Sequence, residues 1–325
     1  MDPGPGEMAI YIVKRLLGII AILAVMSVLV FAITQVMPGN VANVLAGQFA
    51  DPSTVAAIEE RLGLNDPAYV QYWRWASGIL TGNLGDSIIM ERPVGPLIWE
   101  AFLSSAVLAS ISFVLVAIFG ILLGVVAAIR SNKLADHAIS MFSYIGISVP
   151  EFFWAIVGII VFARYLEWLP SGGSADLSQG FFQWASYLVL PVLTLTFTLI
   201  AHVSRLTRSS MIETLRSQYV RNARAKGLPE RVVILRHALR NALLPTITVL
   251  AIDVGWLLGN IVVVEAVFSY PGIGRLLLFA IERHDLPLIQ AGILLIAAVY
   301  CLANLIADLL YAYFNPKIRY GHAEA

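Results

Sequence analysis

The sequence predicts an all-α integral membrane protein with six transmembrane helices. Three observations carry this. Of its 325 residues 59% are apolar and only 13% are charged, about half the globular share of roughly 25%. The mean hydropathy is +0.81. Six runs are long and apolar enough to cross a bilayer, which takes about 20 residues. This composition excludes a disordered chain and argues against a soluble globular enzyme. The balance of 21 Lys+Arg against 21 Asp+Glu gives no reason to expect a nucleic-acid partner. A single cysteine, Cys301, rules out an intramolecular disulfide and a Cys-based metal cluster.

The runs are Leu16–Val36, Ala101–Ile129, Ala138–Ala163, Leu177–Ser204, Asn241–Val264 and Leu286–Ala307. Four carry no formal charge; the third holds Glu151 near its middle and the fifth holds Asp253. Backbone groups in hydrocarbon must bond within their own segment, so the runs are helices. A membrane β-barrel needs alternating strands, which unbroken runs such as Ile111–Ile129 contradict. The first run, at 21 residues, exceeds a signal-peptide apolar region of roughly 7–15 and ends in Met37-Pro38-Gly39-Asn40, a helix stop rather than a cleavage site.

The loops orient the chain. With the N-terminus inside, 15 Lys/Arg fall in inner segments and six in outer ones, which favours both termini cytoplasmic. The expected organisation is an N-terminal segment with the first helix (1–37), an extracytoplasmic cap (38–100), a membrane-spanning core (101–315) and a cytoplasmic tail (316–325). The cap is acidic, with seven Asp/Glu against three Arg. Asp51-Pro52-Ser53 reads as a helix start, with Ala56, Ile58 and Leu62 spaced helically after it. Asn65-Asp66-Pro67 ends that helix and opens a second over Tyr69–Leu80. Trp73, Trp75 and Trp99 suit an interfacial belt, with substrate contact as the alternative.

The inner segment Arg205–Leu244 is unusual. It holds nine basic and two acidic residues and repeats apolar positions helically at Met211, Leu215 and Tyr219. Gly227-Leu228-Pro229-Glu230 reads as a helix C-cap, a break and a new start. A second helix from Pro229 feeds the fifth run through Leu244-Pro245. A solvated basic loop would explain the charge but not two helices meeting at small residues. Ala223, Ala225 and Gly227 would let another protein approach the backbone, so this elbow is expected to dock a partner.

No nucleotide-binding Gly-x-x-x-x-Gly-Lys-Ser/Thr loop, His-Glu-x-x-His metal motif or Gly-x-Ser-x-Gly elbow occurs in the sequence. The five histidines are scattered. A carboxylate at mid-bilayer costs about 2.5–3.5 kcal/mol on insertion scales, so Glu151 and Asp253 should meet a cavity or a partner. They are candidates for a translocation path, with helix packing as the alternative; Asp308 reads as a helix-end residue. Gly120/Gly124 and Gly255/Gly259 permit close helix contact, within the chain or at a dimer seam.

The elbow also carries a resemblance. Arg205-Leu206-Thr207-Arg208-Ser209-Ser210-Met211, Tyr219-Val220-Arg221-Asn222-Ala223-Arg224-Ala225-Lys226-Gly227-Leu228 and His237-Ala238-Leu239-Arg240-Asn241-Ala242-Leu243-Leu244-Pro245 resemble the inner-membrane permease of dipeptide/oligopeptide ABC importers, of the DppB/OppB type. Glu265-Ala266-Val267-Phe268-Ser269-Tyr270-Pro271-Gly272-Ile273-Gly274 and Arg283-His284-Asp285-Leu286-Pro287 fit as well, and the likeness runs from about residue 10 to 321. It implies the type I ABC importer permease (MetI-like) fold in a bacterial inner membrane. It also implies a second homologous permease, two cytoplasmic ATPases that bind ATP and magnesium, an extracytoplasmic solute-binding protein and a peptide-like substrate. No cofactor is then expected in this chain, nor catalysis. Tyr219, Arg221, Ala223, Arg224, Ala225, Lys226 and Gly227 become the ATPase-coupling residues. One departure stands out: the general importer motif begins Glu-Ala-Ala where this chain has Arg221-Asn222-Ala223, so a salt bridge to the ATPase from that position is not to be assumed. A proton-coupled secondary transporter using Glu151 and Asp253 is the competing reading; it explains the acids but leaves the elbow without a task.

Overall fold

The computed structural model describes residues 5–36, 42, 46 and 51–314. The expected stop at Met37-Pro38-Gly39 and the tail 316–325 lie outside them. The described residues are helical with short connections, and a lone antiparallel bridge between Asp86 and Pro93 is their only β pairing. The chain divides into two compact units, Met1–Ser105 with Pro271–Leu302, and Ala106–Tyr270 with Ala303–Ala325. Five helices are long and apolar enough to span a membrane, and a bent helix pair adds a sixth if it crosses as one broken span.

The first unit begins with α1 (Pro5–Val36). Its outward apolar side chains, Leu17, Ile20 and Ile33, are about 60% exposed, as lipid-facing residues should be. The cap helices α2 (Pro52–Leu62) and α3 (Ala68–Leu80) form where the Asp-Pro starts predict. Gly63 ends α2 in the left-handed conformation (φ 65°), where its missing Cβ avoids a steric penalty. α3 rests on α1 through Phe31, Tyr72 and Trp75, whose ring centroids lie 5.4–5.9 Å apart. Trp75 therefore packs inside the unit, whereas Trp73 and Trp99 stay exposed, as an interfacial belt requires. Asp285 is fully buried and accepts hydrogen bonds from Ser87 Oγ (2.5 Å) and Ile89 N–H (3.2 Å), which ties the 86–93 loop to the start of the last long helix.

Two long helices contribute to both units: α4 (Val94–Ile129) and the last helix of the chain (Leu286–Phe314). Next come α5 (Leu134–Ser148), α6 (Glu151–Gly158), α7 (Phe181–Leu215) and α8 (Gln218–Ala225). α9 (Glu230–Val267) and the short α10 (Ile273–Glu282) complete the set, so the last long helix is α11. In the second unit α7 is the central helix. It packs on α9, α5 and α6, and its apolar window is 61% buried against 11% for α1. Leu108, Leu188, Leu195, Ile261, Val264 and Phe268 form one core at one end of the unit, and Val116, Leu199, Val203, Leu250 and Leu257 form another.

Three expected segments are redrawn. The third span is not one helix with Glu151 in its middle. Val149 is extended (φ −112°, ψ 130°) ahead of Pro150, as a residue before proline prefers, and α5 and α6 meet at 104°. Glu151 thus opens a new helix, which passes into a π-helical turn over Ile159–Tyr165. The fourth span starts at Phe181, after Gly180 (φ 112°), and runs on to Leu215, so Arg205–Leu215 prolongs the span instead of belonging to the elbow. The second elbow helix is fused to the fifth span: α9 continues through Leu244 and Pro245 without a break.

Candidate functional site

The elbow is a short helix standing on the second unit's own core. Ser217 (φ −66°, ψ 155°) starts α8, and Val220 and Ala223 turn inward onto Ala128, Met211, Val233, Ala238 and Ala242. The helix ends in a Schellman motif. The Gly227 N–H bonds to the Arg224 carbonyl (2.9 Å) and the Leu228 N–H reaches the Ala223 carbonyl (3.5 Å). Gly227 has φ 75° there, the conformation that glycine adopts without strain. Pro229 then starts α9, where the chain's own N–H loss is harmless. Arg224 grips Glu230 with two bonds (2.6 and 3.1 Å), closing the turn on itself. The Glu230 carboxylate raises the already high Arg224 pKa, so the guanidinium stays charged. Asn241 donates to the Tyr219 hydroxyl (2.9 Å) and ties the start of α8 to α9.

Of the seven residues expected at this surface, Tyr219, Arg221, Arg224, Ala225, Lys226 and Gly227 are exposed. Ala223 is the exception: only 6% exposed, it belongs to the chain's interior and cannot present itself to a partner. Its small size serves the packing of α8 on Met211 and Val233 instead. A Cβ added at Gly227 would meet nothing of this chain within 4 Å, so the joint faces outward.

Below the elbow a further tie joins α5 to α7. Arg208 holds Asp136 through two hydrogen bonds (2.5 and 2.8 Å), and the Asn132 N–H donates to the same carboxylate (2.9 Å). Asp136 is 2% exposed, so the carboxylate is enclosed by its partners. Their pairing did not stand out in the sequence, because a single Arg and a single Asp 72 positions apart carry no pattern.

The two expected path residues both find side-chain partners. Glu151 accepts a hydrogen bond from Asn260 of α9 (3.3 Å). Asp253 sits 3.4 Å from His202 Nδ1 of α7, with its own side chain 8% exposed and that of His202 53% exposed. Asp253 and Asn260 are seven residues apart, so they share one face of α9 and stand about 10 Å apart along its axis. His202, Asn260 and Trp154 were missed by the sequence reading. The signal lay in spacing: Trp154 follows Glu151 by three, Asn260 follows Asp253 by seven, and His202 is a polar group well inside a span.

The two small-residue pairs separate here. Gly120 and Gly124 receive α7: an added Cβ would lie 2.7 Å from Val203 Cγ1 and 2.5 Å from Thr207 Cβ respectively. Their close contact is internal to the chain. Gly259 has nothing within 4 Å and is exposed.

Residues 120–320 match the family described as binding-protein-dependent transport system inner membrane component, and residues 8–117 match its N-terminal membrane component. The chain belongs to this family. It is a multi-pass permease component of a peptide-type, binding-protein-dependent ABC importer. Its similarity extends to a probable peptide ABC transporter permease protein, y4tP, of Sinorhizobium fredii, 40% identical over 96% of this chain and 100% of the relative. The glutathione transport system permease protein GsiC of Escherichia coli is 41% identical over 95% of this chain and 99% of its own. Its counterpart in Salmonella paratyphi A is 39% identical over the same shares. The match spans both units.

Proposed function

We propose that this permease carries a peptide-like solute bearing a free amino group, the class to which the named substrates of its relatives belong. It pairs with a second, homologous permease. Two cytoplasmic ATPases bind ATP and magnesium and do the hydrolysis, so this chain needs neither a cofactor nor a catalytic residue. A solute-binding protein delivers substrate from outside. The chain is organised as a first helix with its N-terminal segment, an outer cap up to about residue 100, a core that includes the elbow, and an inner tail.

The observation that carries the coupling role is the elbow's construction. A short helix is anchored from beneath by Val220 and Ala223 and closed by Arg224–Glu230, while its tip, from Arg224 to Gly227, is exposed. Such a rigid knob suits a groove in an ATPase, and a push on it would pass directly into α7 and α9. Arg221 presents a cation where the general motif has an acid, so this contact selects an ATPase surface that offers an acceptor.

Position 227 tests the docking. Asn tolerates the left-handed conformation, so Gly227→Asn should keep the turn. Gly227→Trp should strip the ATPases from the detergent-solubilised complex and abolish uptake, while the permease still inserts. ATPase retention and wild-type uptake with Gly227→Trp would remove the elbow from the interface.

A further inference from the structure

We propose that Glu151 and Asp253 are two successive stations for the primary ammonium group of the transported solute, with Trp154 receiving the neighbouring carbonyl at the first. The inference rests on the reading that both acids line the path, and it deepens that reading by naming what they recognise.

The argument starts from what the protein leaves unpaired. Among the described residues four buried side-chain atoms lack a hydrogen-bond partner: Ser112 Oγ, Glu151 Oε2, Trp154 Nε1 and Asp253 Oδ2. Buried polar atoms are nearly always paired, so each unpaired one requires a reason. Glu151 and Asp253 each use one oxygen within the chain, toward Asn260 and His202, and keep the other unused. Two carboxylate oxygens accept only, and an indole N–H donates only. The complement of this set is a group with several donors beside one acceptor. An ammonium next to an amide or carboxyl carbonyl has that form, and it is the end of every unblocked peptide.

The spacing favours a relay over a single tight site. Asn260 places Glu151 at its own level on α9, and Asp253 lies two turns nearer the elbow, about 10 Å along the axis. A permeating solute must be bound well enough to enter and weakly enough to leave, which several modest sites achieve. The partners fit that demand. Asn260 holds Glu151 in place without neutralising it. His202, half exposed beside Asp253, is a movable counter-group that an arriving ammonium can displace. The unwound entry at Val149-Pro150 puts Glu151 on the first turn of α6, with Trp154 one turn on along the same face.

The test uses the transporter purified with its co-expressed subunits in lipid nanodiscs. Dicyclohexylcarbodiimide labels carboxyls in apolar surroundings, and the label at Glu151 is counted by mass spectrometry, with Glu151→Gln as the blank. The probes are alanyl-alaninamide and its N-acetyl derivative, of similar size but without the ammonium. Protection by the first alone is the expected result. Equal protection by both overturns the ammonium assignment and leaves the path reading standing. Protection by neither, or no labelling at all, overturns both. A second readout is uptake of a free-amine dipeptide in proteoliposomes. Glu151→Gln and Asp253→Asn should each lower it about tenfold or more, with the amount of folded transporter unchanged. Undiminished uptake by both variants would also overturn the proposal.

Discussion

Arg208 and Asp136 show how much a single side chain decides in this chain. The carboxylate accepts four hydrogen bonds, two from one guanidinium and one each from the Asn132 N–H and the Ser140 hydroxyl, and has almost no access to solvent. Removing one member of such a pair leaves the other buried and uncompensated, which costs about 3–5 kcal/mol in enclosed pairs. Arg208 keeps part of its surface, so Asp136→Asn should cost less than that, about 2 kcal/mol. The loss should appear as a lower thermal unfolding temperature of the purified permease. Arg224→Ala provides the contrast. Its pair with Glu230 is exposed on both sides, and exposed pairs contribute about 0–1 kcal/mol. We expect that variant to melt near the wild-type temperature but to lose ATPase coupling, because the turn it closes is the tip of the elbow. A large melting shift from Arg224→Ala, with coupling intact, would reverse the two assignments.

At the scale of elements, the sequence reading worked where apolar length and proline chemistry decide. Spans one and six, the Asp51-Pro52 and Asp66-Pro67 helix starts and the Gly227 cap stand where the residues indicate, while the second span ends at Ile129 as expected but begins at Val94, seven residues before Ala101. It fell short where continuity is decided by packing. The helix α7 keeps going past Ser204 because Thr207 and Met211 remain buried against neighbouring helices. Pro245 stays within α9 because a membrane helix can re-satisfy the freed carbonyl nearby. The Gly pairs were ambiguous for the same reason: a small-x-x-x-small spacing permits close contact without saying with what. Gly124→Ala should now be damaging. Its new Cβ would stand 2.5 Å from Thr207 Cβ and 2.6 Å from the Ser204 carbonyl, and neither neighbour is the free end of a flexible chain. Overpacking of this kind costs about 1–3 kcal/mol. Gly259→Ala meets no atom of the chain, so the isolated permease should tolerate it. Equal folded yields from the two variants would contradict the internal seam.

Across the whole molecule, the proposed coupling requires an elbow on the cytoplasmic side of the membrane, and the expected topology puts the cap outside. The distribution of Lys and Arg, 15 on one side and six on the other, leads us to expect the elbow and both termini in the cytoplasm. The helices bear on this through parity. Six crossings return the chain to its starting side only if the bent pair α5–α6 counts as one crossing; with five it would not. Two exposed positions separate the cases. Ser53 lies at the start of α2, in the cap, and Asn222 lies on the exposed side of α8. With Cys301, buried, as the chain's one native thiol, Cys301→Ser gives a silent background for labelling. A cysteine at Ser53 should react with an impermeant maleimide added to spheroplasts, and one at Asn222 only after the membrane is opened. A third at Gly6, near the N-terminal end of α1, should behave like Asn222, because α1 crosses once between it and the cap. If Gly6 and Ser53 react together from outside, α1 does not cross. If Ser53 and Asn222 react together, the bent pair does not span, and the elbow would lie on the wrong side to meet an ATPase.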